Sequence, residues 1–191
     1  PVKIAVGICL GLLVAGNSLA QGASVFVGTE VCATCHKAAF AAWQNSHHDL
    51  AMQEATPESV LGDFDGATFT YHGAVTTFSR HAEGFWITTE GPNGLPERFP
   101  VRYVFGVYPL QQYLLPLEGG RLQALTIAWD SRRKEEGGQR WYHLYPDENI
   151  KSGDQLHWTG PYHNWNARCA ECHSTNAVSY THLTLPTILR V

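Results

Sequence analysis

Cys32-Ala33-Thr34-Cys35-His36 and Cys169-Ala170-Glu171-Cys172-His173 place the strongest constraint on this chain. Each reads C-x-x-C-H, the attachment signature of a c-type haem. Two thiols at this spacing reach both vinyl groups of one porphyrin and form thioether bonds, and the adjacent histidine then lies under the iron as proximal ligand. Cys32, Cys35, Cys169 and Cys172 are therefore the expected covalent anchors, and His36 and His173 the expected proximal ligands. The expected cofactor is haem c, with two copies in this chain. A single copy could equally be half of a zinc site. Two full pentapeptides in a chain with five cysteines favour haem.

The fifth cysteine, Cys9, lies in an N-terminal apolar run. Lys3, the uncharged stretch Ile4 to Ala15 and the small residues Ser18-Leu19-Ala20 have the layout of a secretory signal peptide. Cleavage is expected after Ala20, with Ala23 as second choice. The run is short for a membrane span, and Cys9 lacks a good lipobox before it. Export to the periplasm or beyond would normally turn four remaining cysteines into a disulfide framework. Here all four fall in the two motifs, which leaves none for a bridge.

A net charge of -4 and the lack of basic runs argue against nucleic acid as a partner. Aromatic residues make up 12% of the chain, with six tryptophans, which suits a haem pocket and a compact β core alike. The C-terminal string Val178-Ser179-Tyr180-Thr181-His182-Leu183-Thr184-Leu185-Pro186-Thr187 matches the translation of a transposase-type sequencing adaptor. Residues 178–191 are thus expected to be a non-native tail, with the native protein continuing past Asn176. The expected division is a signal peptide over 1–20, a truncated multihaem cytochrome c domain over 21–177 and the tail. The middle part holds roughly 155 residues, about one ordinary domain.

Thr29 reads as a helix cap, and Cys35/His36, Phe40, Trp43, His47 and Leu50/Ala51 recur with helical period. The spacing predicts a helix from Glu30 to about Gln53. From Ala67 onward the pattern changes. Ala67–Phe78, Phe85–Thr89, Phe99–Tyr108, Leu122–Ala128 and Arg140–Tyr145 are rich in aromatic and β-branched residues and are punctuated by Gly, Pro and Asn. They predict four to six antiparallel strands, with Arg132–Gln139 as a charged hairpin loop. A short helix over Asn166–Ser174 carries the second motif. The expected fold class is α+β, with haem-bearing helices at both ends flanking an antiparallel β-rich middle.

A low-spin haem takes a sixth ligand, His or Met. Met52 is the only methionine, whereas histidines are plentiful, so bis-His ligation is expected. On a straight helix His36 and His47 would be about three turns and ~16 Å apart on nearly one face. Neither His47 nor His48 could then bind the first haem unless the helix breaks, and one of them would instead reach a neighbouring haem. His143 shares a strand face with Trp141 and Tyr145 by period-two alternation. The distal candidates are His48, His143, His157, His72 and His47. His163 and His81 are expected to be ordinary surface or hydrogen-bonding residues.

These residues resemble the exported multihaem c-type cytochromes of the cytochrome c-554/c-prime type, a group commonly followed by tetratricopeptide repeats. Val27 to His36, Trp43-Gln44-Asn45-Ser46-His47-His48, Phe105 to Tyr113 and Gly120-Arg121-Leu122-Gln123 carry the likeness. It continues through Arg140 to Pro146, Leu156 to Gly160 and Asn164-Trp165-Asn166. The resemblance ranks His48 above His47, through the pattern Trp-x-x-Ser-x-His, and sets His163 apart from the residue usual at its place. It implies electron transfer outside the cytoplasm, further haem motifs and helical repeats downstream, redox partner proteins and a possible cytochrome oligomer or filament. The alternatives are a multihaem oxidoreductase acting on a small nitrogen or sulfur compound, which would need an open haem position and acid/base groups, and a haem-containing protein-interaction module.

Overall fold

The computed structural model describes residues 28–174. The expected leader over 1–20 and the expected tail over 178–191 lie outside the described residues. Two short helices come first, α1 (Thr29–Ala33) and α2 (Lys37–Trp43). Ten strands follow: β1 (Met52–Glu54), β2 (Asp65–Tyr71), β3 (Ala74–His81), β4 (Gly84–Glu90), β5 (Pro96–Pro100), β6 (Tyr103–Phe105), β7 (Leu110–Leu117), β8 (Arg121–Ala124), β9 (Ile127–Asp130) and β10 (Arg140–His143). The described part ends with α3 (Trp165–Arg168) and α4 (Ala170–His173). Among the described residues no helix is long and apolar enough to cross a membrane.

The expected α+β class with haem-bearing helices flanking the middle is corrected by this architecture. Among the described residues the protein is mostly β, built as two antiparallel sheets, and its α-helices are only four to seven residues long. The expected helix from Glu30 to Gln53 does not form. It breaks at His36 (φ −111°, ψ 45°) and again at Asn45, whose backbone is left-handed (φ 58°). Asn45 N–H donates to the Asp49 carboxylate there, and Met52–Glu54 pairs as a strand. The physical reason is that α1 and α2 bury no residue. Helical periodicity without an apolar face to bury leaves a helix marginal, because most helical stability in proteins comes from packing.

One sheet runs β2-β3-β4-β5. The β-rich span Ala67–Phe78 is a hairpin folded at His72-Gly73. Both turn residues have positive φ, 43° and 88°, as a tight two-residue hairpin turn requires. The other sheet runs β1-β6-β7-β9-β10. The free edge of β7 is shared: Leu110 and Gln111 pair with β9, and Leu114 to Leu117 pair with β8. Arg132–Gln139 connects the paired strands β9 and β10 as expected.

The two sheets close over one core. Phe78, Phe85, Ile87 and Phe99 come from the first sheet, and Val104, Tyr113, Leu115, Trp129 and Trp141 from the second. Trp141 stacks on Phe78 with ring centroids 3.5 Å apart. Strand alternation sends Leu114 to the opposite face, where it joins Met52, Leu122 and Ala124 in a smaller cluster capped by Trp165 and Ala170. The second sheet is thus apolar on both faces. Gly106 (φ 78°) sits at the bend before β7, where a Cβ would come within 2.7 Å of the Leu110 carbonyl. Its N–H donates to the Ala51 carbonyl and ties the segment after α2 to this sheet.

Candidate haem attachment sites

The two C-x-x-C-H segments adopt the same hydrogen-bonded turn. In the first, the N–H groups of Cys35 and His36 both donate to the Cys32 carbonyl, at 3.3 and 2.9 Å. In the second, Cys172 and His173 both donate to the Cys169 carbonyl, at 3.1 and 3.0 Å. All four cysteines are free thiols; Cys32, Cys35 and Cys172 are exposed and Cys169 is half-buried. His36 and His173 are exposed as well. The residues at both turns therefore fit a covalently attached haem: two unbonded thiols one turn apart with an accessible imidazole next to them.

Their surroundings differ. The first motif stands on helices that bury nothing. The second rests on the apolar cluster of Met52, Leu114, Leu122 and Trp165, with Cys169 packed against it. The His173 ring meets Phe105 edge-on at 6.1 Å. Asn164 caps α3 by accepting from Ala167 N–H, and Asn166 accepts from Leu122 N–H, so the approach to the motif is pinned to β8. Burial, and then the neighbouring Cys172, raise the pKa of the Cys169 thiol.

The distal candidates fall into two groups, His47 and His48 in one and His72, His143 and His157 in the other. His47 and His48 lie in the exposed turn after α2, with the His47 ring 6.1 Å from that of Tyr108. A straight helix would have kept both from the first haem; the breaks at His36 and Asn45 remove that exclusion. His72 occupies the β2–β3 turn and is exposed. His143 is buried on β10 and stacks on Tyr71 at 3.6 Å. It is the wall between two spaces. On one side lies a groove of about 460 Å³ bordered by Phe69, Tyr71, His72, Arg140 and Tyr142. On the other lies a small pocket of about 40 Å³ bordered by Thr76, Thr89, Glu90 and His157. That pocket has room for a few waters and not for a porphyrin. The fold therefore brings His72 and His143 to one groove, and His143 and His157 to the smaller space behind it.

His143, His157 and His163 are all buried. Nδ1 of His143 lies 3.2 Å from the Tyr145 carbonyl, and Nδ1 of His157 lies 2.7 Å from the Thr159 hydroxyl. Burial is the main influence on each and lowers its pKa, with neighbouring histidines lowering it further at His143 and His157; for His143 it falls to about 4. Burial thus favours the uncharged ring at each, and at His157 the Glu90 carboxylate, 3.8 Å from Nε2, opposes that shift. Among the described residues no group of three or more His, Cys, Asp or Glu side chains converges to hold a bare metal ion. His163 is the residue that sequence context undervalued. Its position between Gly160 and Asn164 shows no period that would have marked it as interior.

A pH dependence follows. The folded state holds His143 at about 4, against 6.5 for an ordinary histidine. Below pH 6.5 the unfolded chain binds a proton that the folded chain refuses, so stability is lost as the pH falls from 6.5 toward 4. Urea midpoints measured at pH 7.5 and pH 5 should differ by less in His143→Gln than in the parent. An equal difference would show that His143 does not contribute.

No curated protein and no solved structure matches the chain. A family model described as Cytochrome c554 and c-prime matches residues 31–69. The matched stretch takes in the first C-x-x-C-H turn, His47 and His48, and most of β2. Over this stretch, which carries the first C-x-x-C-H turn, the chain is similar to that family of c-type cytochromes.

Proposed function

We propose that this chain is an exported multihaem electron carrier with one covalent haem at each C-x-x-C-H turn. The observation that supports this most is the shared backbone turn, formed twice at distant points of the chain with the thiols unbonded. Bound haem supplies reversible one-electron chemistry, and the protein tunes it through axial ligands, burial and hydrogen bonding. Cys32 and Cys35, and Cys169 and Cys172, anchor the two macrocycles. His36 and His173 hold the irons from the proximal side, and the distal side is taken by histidine. Residues 1–20 serve as the export leader, and the working place is the periplasm or the cell exterior. Redox proteins are the partners, and an oligomer or filament of haem domains suits a protein with haem turns on its surface.

The test is expression with the leader in a host that matures c-type cytochromes. Intact mass and the pyridine haemochrome spectrum should give two covalent haems per chain, and ferric EPR should show low-spin bis-His signals. A purified chain without covalent haem, or with stoichiometric zinc on the cysteines, overturns the reading.

A further inference from the structure

β2 and β10 each lie at the outer edge of their own sheet. The two edges meet along a seam, and the groove of about 460 Å³ opens there. Tyr71 of β2 stacks on His143 of β10 at 3.6 Å and 12°, which gives the seam a flat aromatic wall. The Tyr71 hydroxyl donates to the carbonyls of Tyr145 and Glu148, so that ring is fixed. His72 stands edge-on to Tyr71 at 4.6 Å, and Phe69 and Tyr142 complete the aromatic border. The groove falls within the roughly 300–1,000 Å³ span of small-molecule sites, which combine apolar walls with a few fixed polar groups.

The fixed polar group here is Arg140. Its Nε donates to the Gly137 carbonyl at 2.9 Å, and its guanidinium lies 5.7 Å from the Tyr142 ring. Asp130 faces it across the β9–β10 pair but is held by Arg132, at 3.0 and 2.6 Å. Among the described residues Arg140 therefore has no ion pair, and its two Nη groups bond to nothing. Among the same residues no carboxylate borders the groove, although the chain carries a net charge of -4. At the His72 end, Lys151 Nζ donates to the His72 carbonyl at 3.3 Å, which brings a second cation near. Fixed rings favour a planar aromatic body. A guanidinium with both Nη groups open favours a carboxylate, which it holds by two parallel bonds.

We propose that the seam between β2 and β10 binds a planar aromatic carboxylate, its ring against the Tyr71–His143 stack and its acid group on Arg140. The site is separate from the two C-x-x-C-H turns and goes beyond the electron-carrier reading, on which it does not depend. The contact is non-covalent and moves no proton: Arg140 stays charged and the ligand arrives as the anion.

Isothermal titration calorimetry of the full chain at pH 7.5 with 2-naphthoate tests it, with the visible spectrum followed in parallel. The parent should bind one equivalent. 2-Naphthol, which has the rings without the charge, and acetate, which has the charge without the rings, should each bind about tenfold more weakly or worse. Arg140→Gln should weaken 2-naphthoate by about tenfold or more, and Arg140→Lys by less, since lysine keeps the charge and loses the paired geometry. Arg98→Gln, at a guanidinium 4.2 Å from the Trp86 ring on the far strand of the first sheet, should change nothing. The comparison of 2-naphthoate with 2-naphthol needs no variant, so it decides even if an Arg140 variant folds poorly. No saturable heat in the parent, equal binding of 2-naphthol, or undiminished binding by Arg140→Gln overturns the proposal. A Soret shift that tracks the heat places the probe at a haem and overturns it too. A chain without covalent haem that still binds 2-naphthoate through Arg140 overturns the proposed function and leaves this site standing.

Discussion

Replacing Cys169 and Cys172 together with alanine should halve the covalent haem, from two per chain to one, by intact mass and pyridine haemochrome. Each turn presents its own pair of thiols, so one pair cannot serve the other's porphyrin. Replacing Cys32 and Cys35 should remove one haem as well, but the two variants should differ in stability. Cys169 packs on the cluster of Met52, Leu114, Leu122 and Trp165, against the face of the second sheet. A haem anchored there is joined to the fold, and its loss should lower the melting temperature. The first motif sits on α1 and α2, which bury no residue. Loss of its haem should leave the melting of the sheets nearly unchanged. Equal destabilisation by both double variants would show that the first motif packs on the sheets in the loaded protein. Unchanged haem content in either would remove that motif from the attachment sites.

The second large effect is expected at Gln111, a fully buried amide in β7 that satisfies four groups at once. Its oxygen accepts from Leu61 N–H at 2.8 Å and from the Tyr113 hydroxyl at 3.1 Å. Its nitrogen donates to the carbonyls of Ser59 at 2.9 Å and Gly106 at 3.3 Å. Burial raises the Tyr113 pKa, so that hydroxyl keeps the proton it donates. Leucine would fill the space and leave all four groups without their partner. At about 1–3 kcal/mol for each buried group left unpaired, Gln111→Leu should remove a large share of a typical stability of roughly 5–15 kcal/mol. Gln112 makes one such bond, to the Leu125 carbonyl, and Gln112→Leu should cost about 1 kcal/mol. Urea denaturation of the two variants measures the difference. Similar losses would show that the Gln111 network does not hold the loop before β2 to β7.

Local signals and tertiary signals divided cleanly along this chain. Short-range chemistry was readable from residues: the expected strand Phe85–Thr89 lies within β4, the expected strand Arg140–Tyr145 contains β10, and the charged loop between β9 and β10 lies where its composition put it. Two elements were hidden. Leu110–Leu117 forms the long strand β7, yet it shows no alternation because Leu114 is buried on one face while Tyr113 and Leu115 are buried on the other. A strand covered on both sides loses its period-two mark. The region after Glu30 failed in the opposite way, since it carried helical period without a surface to receive it.

The sequence by itself determined the two candidate attachment turns, because C-x-x-C-H needs only neighbouring residues and one turn of backbone to place two thiols and an imidazole together. Only the tertiary structure decided which motif rests on the core and which stands clear, and which histidines are interior. Burial arises from residues far apart in the chain, such as Gln123, whose amide donates to the carbonyls of Trp158 and Gly160 just before the turn that carries His163, and no local pattern records such meetings.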